Sequence, residues 1–227
     1  MSQAVPRRAR SAEAKQQRER AILDAARSLG GERSVREVTL TDIAAAVGMH
    51  KSAMLRYFET REQIFLALTA EGWRDWSRDV RTRLGEVEDI GPGPVAAVLA
   101  ETLVVRPFFC DLLAQAPLNL ERNVSPDAAV AFKKAALAEV DAVRTVLCEL
   151  LAITEEQAVD VVATATGMAG ALHQMAAPGT GLRSLYETHP ELSHALVDVG
   201  PRLVRVLSAL LTGMRTGTRA TATHPHM

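Results

Sequence analysis

Cysteine is scarce in this sequence. Only Cys110 and Cys148 occur among 227 residues, and neither belongs to a Cys/His cluster with the spacing of a metal site. Both lie in apolar stretches with helical periodicity, which is typical of reduced thiols in a hydrophobic core. We therefore expect no metal site and no cofactor; for the two thiols, a redox-sensing pair is the alternative.

Aromatic residues are also few, at 4% of the chain, although hydrophobic residues make up 48%. Alanine, leucine and valine dominate the apolar set, and alanine and leucine favour helices. Segments that alternate polar and apolar residues, as half-buried strands do, are rare. The sequence therefore predicts an all-α fold.

A long apolar targeting or membrane segment is missing as well. Residues 1–20 are polar and Arg-rich, without the apolar centre of a signal peptide. Residues 161–182 contain no Lys, Arg, Asp or Glu, but threonines, glycines, His173 and Pro178 make them too polar and too broken to span a membrane. We expect a cytoplasmic protein that does not contact membranes.

An excess of positive charge is absent from the chain as a whole, whose formal net charge is −1. The charges are unevenly distributed, however. Residues 1–60 hold 11 Lys and Arg against 7 Asp and Glu, whereas the remainder holds 15 against 20. A basic amino-terminal part on an acidic remainder is typical of a protein that meets phosphate groups with one end only.

Hydrophobic periodicity and chain breaks divide the sequence into four parts. We predict a disordered basic arm over residues 1–14 and a three-helix helix-turn-helix DNA-binding domain over residues 15–60. A six-helix domain for ligand binding and dimerisation follows over residues 61–213, and residues 214–227 are predicted to form a disordered tail.

Local stop signals set the predicted helix boundaries. The first helix is predicted over residues 15–29, before a Gly-Gly pair. The ninth is predicted over residues 190–213, and Pro201 inside it should kink or split it. Residues 117–124 and 178–189 are predicted to be loops.

The segment LTDIAAAVGMHKSAMLRY, residues 40–57, has the spacing of two short helices joined by a tight turn. Gly48 lies at the turn, where a positive φ is easily adopted by glycine. Four apolar residues are spaced to pack between the two helices: Ile43, Val47, Met49 and Met54. The pattern predicts a helix-turn-helix at about residues 39–58, whose second helix would enter the major groove of DNA.

Side chains suited to DNA contacts cluster on that second helix. Lys51, Ser52 and Arg56 can donate hydrogen bonds to phosphates or bases, and Ala53 can contact a thymine methyl group. Tyr57 can donate a hydrogen bond to a phosphate. Residues at neighbouring helix ends complete the predicted DNA-binding set: Thr39, Thr41, His50 and Arg61. Three arginines of the predicted arm could follow a groove: Arg7, Arg8 and Arg10.

A short helix pair with a glycine turn also occurs in proteins that do not bind DNA, so the pattern alone leaves the function open. Residues 16–75 resemble the DNA-binding domain of the TetR (tetracycline-repressor) family. The resemblance is carried, without gaps, by ILDAA in the first helix, TLTDIAAAVG in the second helix and its turn, and LRYFETREQI leading into the fourth helix.

The sequence departs from the family pattern at two positions. His50 stands where the family usually has a Ser or Thr cap, and we expect a weaker cap and a solvated turn residue there. Leu55 stands where the family usually has a Tyr that contacts phosphate. We expect Leu55 to pack in the core and Tyr57 to make the aromatic phosphate contact instead.

The resemblance also implies a homodimer through the last two helices and a small-molecule effector bound in the second domain. An uncharged helix over residues 161–175 fits the dimer, because most of its sides must be covered. The residues that could line an effector pocket are Trp73, Trp76, Leu99, Leu103, Phe108, Phe109, Phe132, Met168, Leu172 and His173. Ordinary core packing is the alternative role for each, and His173 is the best polar candidate.

These features predict a ligand-responsive transcriptional regulator. We expect a repressor that binds palindromic double-stranded DNA as a dimer and is released by a small molecule. The alternative is a ligand-binding or scaffold helical dimer without sequence-specific DNA binding. An enzyme is not indicated, since the sequence shows no catalytic triad order, paired acidic motif or phosphate-binding glycine loop.

Overall fold

A computed structural model describes residues 7–176, 180–195 and 198–222. These residues form ten α-helices and no strand, as expected for an all-α fold. The helices are α1 (Arg7–Glu32), α2 (Leu40–Ala46), α3 (Lys51–Met54), α4 (Arg61–Gly85), α5 (Pro92–Val104), α6 (Pro107–Gln115), α7 (Pro126–Leu151), α8 (Glu155–Ala176), α9 (Gly181–Thr188) and α10 (Val199–Ala222). We call α1–α3 the head and α4–α10 the body.

Side-chain caps start several of these helices. The hydroxyls of Thr39, Thr60 and Ser125 each accept a hydrogen bond from a backbone N–H in the first turn of α2, α4 and α7. Thr154 does the same for α8, where its hydroxyl accepts from the Gln157 backbone N–H at 3.2 Å. Each cap satisfies a donor that the helix itself cannot pair.

The first helix is longer than predicted. It begins at Arg7, not near Lys15, so residues 7–14, which were predicted to be disordered, have helical backbone in the described part of the chain. Arginine and alanine dominate this stretch, and both favour helix even without an apolar stripe. The predicted arm residues Arg7, Arg8 and Arg10 therefore have helical backbone, and residues 1–6 lie outside the described part of the chain.

The last helix is shifted along the sequence. α10 runs from Val199 to Ala222, whereas the prediction placed it over residues 190–213 with a kink at Pro201. Pro201 lies in the first turn, where backbone N–H groups have no helical partner, and so it interrupts nothing. The predicted disordered tail is helical as far as Ala222, and residues 223–227 lie outside the described part.

Two predicted loops contain short helical segments. Residues 178–189 include α9, whose N-cap Thr180 accepts a hydrogen bond from the Arg183 backbone N–H at 3.4 Å. Residues 117–124 lie in a π-helical turn, Ala116–Leu120, and a 3-10 turn, Glu121–Asn123. Pro and polar residues correctly marked the ends of longer helices here, but they do not prevent single helical turns.

α4 is the central helix, packing against α1 in the head and against α5, α6 and α7 in the body. α10 packs on α5 and α8, and α6 packs on α8. Buried apolar side chains form one continuous core through head and body. Of the described helices, none is long and apolar enough to cross a membrane.

Candidate nucleic-acid interface

The helix-turn-helix is held by contacts within its own sequence. At the start of α2, the Thr39 backbone N–H donates to the Asp42 carboxylate at 2.8 Å, and the Asp42 backbone N–H donates to the Thr39 hydroxyl at 3.2 Å. Gly48 occupies the turn with φ of 62°. Of the four residues predicted to pack between the two helices, Ile43 and Met54 are buried, and Val47 and Met49 are half-buried against the core. This fixes the angle at which α3 is presented.

His50 caps α3, which differs from the expected role as a solvated turn residue. Its Nδ1 lies 3.4 Å from the Ser52 backbone N–H, which donates to it, and 2.9 Å from the Ser52 hydroxyl. An imidazole nitrogen thus replaces the hydroxyl oxygen expected at this position. The cap is retained, and both His50 and Ser52 remain exposed at the amino-terminal end of α3.

The remaining predicted contacts lie in α2, in α3 and in the turn that follows α3. The side chains of Thr41, Lys51 and Arg56 are exposed, and those of Ala53 and Tyr57 are half-buried. Among the described residues, no carboxylate forms an ion pair with Lys51 or Arg56. Two unpaired cations next to a short helix end leave positive charge available to phosphate.

Leu55 is not in the core. Its side chain is 51% exposed at the end of α3, so the prediction of core packing is wrong. Met54 takes the inward position, and one residue further along a helix points about 100° away. Leu55 is therefore an exposed apolar side chain next to the exposed Arg56. Helical phase counted from Met54 could have found it from the sequence.

Arg61 is separated from the other predicted DNA contacts. Its guanidinium donates to the backbone carbonyls of Val35 and Val38 and, at 2.9 Å, to the Glu62 carboxylate. It also lies 4.7 Å from the centre of the Phe65 ring. Each of its three nitrogen atoms already donates a hydrogen bond inside the protein. The geometry therefore does not support the prediction that Arg61 reaches DNA; the side chain holds the α1–α2 connection on α4.

The predicted effector-pocket residues form part of the core of the body. Trp73 packs edge-on against Trp76 and Phe109, with ring centres 5.5 and 5.9 Å apart. Trp76 donates a hydrogen bond from its indole N–H to the Thr102 hydroxyl at 3.0 Å. Leu99, Leu103, Phe132 and Leu172 are buried, and Phe108, Met168 and His173 are half-buried. Neither of two grooves on the surface of the body is lined by any of these residues.

Polar groups inside the body were not predicted. Asp111 is a buried carboxylate on α6, and the buried Ser77 hydroxyl on α4 has no hydrogen-bond partner among the described residues. The signal for Asp111 was present, because a single acidic residue interrupts the apolar segment PFFCDLLAQ. Burial, with a smaller effect of Asp111 that opposes it, lowers the pKa of His173 below its ordinary value.

The thiols behave as ordinary core and near-surface groups. Burial raises the pKa of the Cys110 thiol to about 12, and the same cause raises the pKa of half-buried Cys148. Neither thiol is therefore activated as a nucleophile. In the part of the chain that the structure describes, no group of three His, Cys, Asp or Glu side chains is placed to hold a metal ion.

Solved structures with the same fold include regulators. The chain resembles the fatty acid degradation regulator FadR from Bacillus halodurans (14% identity, TM-score 0.56, covering 85% of this chain and 97% of that one). It also resembles a tetR-family regulatory protein from Rhodococcus RHA1 (13%, 0.55, covering 86% and 96%) and the multidrug binding protein EbrR complexed with imidazole (18%, 0.54, covering 85% and 94%). At these identities the likeness shows the fold. A comparison with curated proteins gives no match.

Two family models match the sequence itself. Residues 22–68 match the model described as bacterial regulatory proteins, tetR family, and residues 70–218 match the tetracyclin repressor-like C-terminal domain. Together they span the head from residue 22 onward and nearly all of the body, and neither describes an enzyme. The chain therefore belongs to the TetR family and is a transcription regulator with a helix-turn-helix DNA-binding domain.

Proposed function

We propose that this protein is a repressor that binds a palindromic operator as a homodimer and is released by a small molecule. The observation that carries the proposal is the exposed set Lys51, Ser52 and Arg56, in the second helix of the helix-turn-helix and in the turn after it, whose two cations form no ion pair among the described residues. The amino-terminal end of such a helix approaches base edges in the major groove. Thr41 at the start of α2 lies where the phosphate backbone would pass.

Specific contacts follow from side-chain chemistry. Arg56 and Lys51 would read guanine or hold phosphate, and Ala53 with exposed Leu55 would contact thymine methyl groups. Tyr57, half-buried against the core, would present its hydroxyl to a phosphate. Thr39 and His50 support the motif through their caps and can reach DNA only with their exposed edges.

The proposed dimer would use α8 and α10. On α8, one set of exposed residues recurs at every fourth position and carries no charge: Val159, Ala163, Gly167, Ala171 and Met175. A Cβ added at Gly167 would meet nothing within 4 Å, so a second helix could approach closely there. Val206 and Ala209 continue an apolar exposed face on α10. Pairing these faces about a two-fold axis would give a four-helix bundle.

The dimer proposal is tested by light scattering with size-exclusion chromatography. Replacing Gly167 by Glu should convert the dimer to monomer, because two like charges would be buried at the centre of the interface. Leu137→Glu on the exposed face of α7 is the matched control, since Leu137 is also an exposed apolar residue but lies outside the proposed interface. Monomeric wild-type protein, or a Gly167→Glu dimer, contradicts the proposal.

The effector would enter the apolar interior of the body, among the aromatic residues of α4 and α6. No charged side chain lies among the ten residues proposed above to line the pocket, which favours an uncharged, mainly apolar molecule. Binding would weaken DNA affinity only if the molecule prefers a conformation in which the two heads no longer fit adjacent major grooves.

DNA binding is tested by selecting sequences from random double-stranded DNA. The expected product is a palindrome whose half-sites are centred roughly 10 base pairs apart, or a multiple of that spacing. Affinity should fall as salt rises, because phosphate contacts release counterions. No enrichment, together with no gel shift at low salt, would contradict the repressor and favour a helical dimer that binds ligands without sequence-specific DNA binding.

A further inference from the structure

Asp111 is a buried carboxylate where the head meets the body. It lies on α6 and is 5% exposed. None of the ion pairs in the described part of the chain includes it. A buried charge without a counter-ion is stable only when hydrogen-bond donors surround it, so its partners define what it does.

The two oxygens of Asp111 hold different parts of the molecule. Oδ2 accepts a hydrogen bond from the Val35 backbone N–H at 2.6 Å and a longer one from the Ser34 hydroxyl at 3.4 Å. Both donors belong to the α1–α2 connection of the head. Oδ1 accepts from the Gln174 side-chain amide of α8 at 2.8 Å. One carboxylate thus joins the head directly to a helix of the proposed dimer interface.

The Val35 peptide is held from its other side as well. Its carbonyl accepts from the Arg61 guanidinium of α4, and its side chain is fully buried. An anion from α6 and a cation from α4 therefore fix the connection that leads into the helix-turn-helix. Hydrogen bonds to charged groups are stronger than those between neutral groups, which makes this connection a rigid point of the head.

Close packing on both sides of α6 leaves little room for this helix to slide against α1 or α8. A Cβ added at Gly30, near the end of α1, would lie 2.5 Å from a ring atom of Phe108. A Cβ added at Gly170 of α8 would lie 2.9 Å from the Ala114 backbone nitrogen. α6 is thus in direct contact with both the head and α8, and Asp111 lies between these contacts.

We propose that Asp111 is a positioning residue for DNA binding: its carboxylate sets the orientation of the head relative to α8, and thereby the spacing of the two recognition helices in the dimer. The proposal rests on the proposed function, because only a dimer reading two half-sites depends on that spacing. It makes Gln174, Asp111 and the Val35 N–H one chain of contacts from α8 to the connection before α2.

The first test compares Asp111→Ala with Thr102→Val in the full-length protein. Thr102→Val removes the acceptor of the Trp76 indole N–H and so also loses a buried hydrogen bond, but it does not touch the head. For Asp111→Ala, hydrogen exchange of the Val35 amide, followed by NMR, should accelerate at least about tenfold. Affinity for the operator selected with wild-type protein should fall about tenfold or more, while affinity for a single half-site stays unchanged. Thr102→Val should change neither the exchange rate of the Val35 amide nor the affinity for the operator.

Two further variants separate positioning from general stability. In Asp111→Asn, the amide oxygen can accept from Val35 while the amide nitrogen donates to Gln174, whose own amide can turn around. This variant should restore operator affinity to within about twofold of wild type. Gln174→Ala removes only the hydrogen bond between α8 and Asp111. Because Gln174 is exposed, this variant should fold normally, weaken operator binding and keep the Val35 amide protected.

The outcomes distinguish the two proposals. Unchanged operator affinity in both Asp111→Ala and Gln174→Ala overturns the positioning role, and so does equal weakening of operator and half-site binding. If Asp111→Ala does not fold, the Gln174→Ala result decides. If wild-type protein selects no operator at all, the proposed function fails and the positioning role fails with it.

Discussion

The head exposes its functional side chains, whereas the body buries the residues that were predicted to bind an effector. In the head, the side chains of Lys51, in a four-residue helix, and Arg56, in the turn after it, are exposed to solvent. In the body, Trp73, Trp76 and Phe109 pack edge to face, and none of them lines either of the two grooves described above. Substitutions in the two regions should therefore affect different quantities: affinity for DNA in the head, and free energy of unfolding in the body.

The largest effect is expected in the body. Trp76→Ala should lower the free energy of unfolding by about 3–5 kcal/mol, because a fully buried indole and its hydrogen bond to Thr102 are lost. Urea denaturation followed by circular dichroism measures it. Arg74→Ala, an exposed residue of the same helix, should change stability by less than about 0.5 kcal/mol. A Trp76→Ala loss below about 1 kcal/mol would show that the body is not tightly packed here.

Arg56→Ala in the head should instead weaken DNA binding and leave stability almost unchanged. Each lost base or phosphate contact should weaken operator binding by about 1–3 kcal/mol, and a dimer loses it twice. Stability should stay within about 0.5 kcal/mol of wild type, because the side chain is exposed. Fluorescence anisotropy with labelled operator measures the affinity, with Arg74→Ala again as control. Unchanged affinity would refute the assignment of this contact.

Two turns with positive φ give a matched pair with smaller effects. Gly48 of the head has φ of 62°, and Ala152, after α7 in the body, has φ of 53°. Since nothing lies within 4 Å of a Cβ added at Gly48, Gly48→Ala should destabilise by backbone conformation alone, by about 1 kcal/mol. Ala152→Gly should stabilise by up to about 1 kcal/mol. Thermal unfolding of both variants checks the signs, and equal signs would contradict this explanation.

The smallest expected difference is in pH dependence. Because the folded state lowers the pKa of His173, the unfolded chain takes up this proton more readily, and stability should fall as pH drops from about 7.5 to 5.5. In the head, hydrogen bonds from the Thr39 backbone N–H and hydroxyl lower the pKa of Asp42. That contribution is present above the ordinary carboxyl pKa and is lost only in more acidic solution, as pH falls through the lowered value.

His173→Gln separates the pH range in which His173 affects stability from the more acidic range in which Asp42 does. This variant should flatten the change in melting temperature between about pH 7.5 and 5.5 and leave the further fall in more acidic solution unchanged. Asp42→Asn should alter only that fall in more acidic solution. A melting temperature that still falls equally between pH 7.5 and 5.5 in His173→Gln would assign that change to another group.

Local chemistry explains why the head could be predicted well. The cap between Thr39 and Asp42, the glycine turn at Gly48 and the burial of Ile43 and Met54 all depend on residues within a few positions of one another. The same reasoning failed where a side chain had several faces to choose from. Leu55 was assigned to the core by its apolar character, but helical phase places it outside.

The sequence by itself determined the all-α fold, the position of the helix-turn-helix and most of the residues on its exposed face, because helix propensity, caps and periodicity act over short distances. Only the tertiary structure decided the role of Arg61, whose acceptors are the carbonyls of Val35 and Val38 in a different segment. The same is true of Asp111, which meets Val35 across 76 positions. Partners so far apart in the chain are brought together only by the packing of α1, α4, α6 and α8.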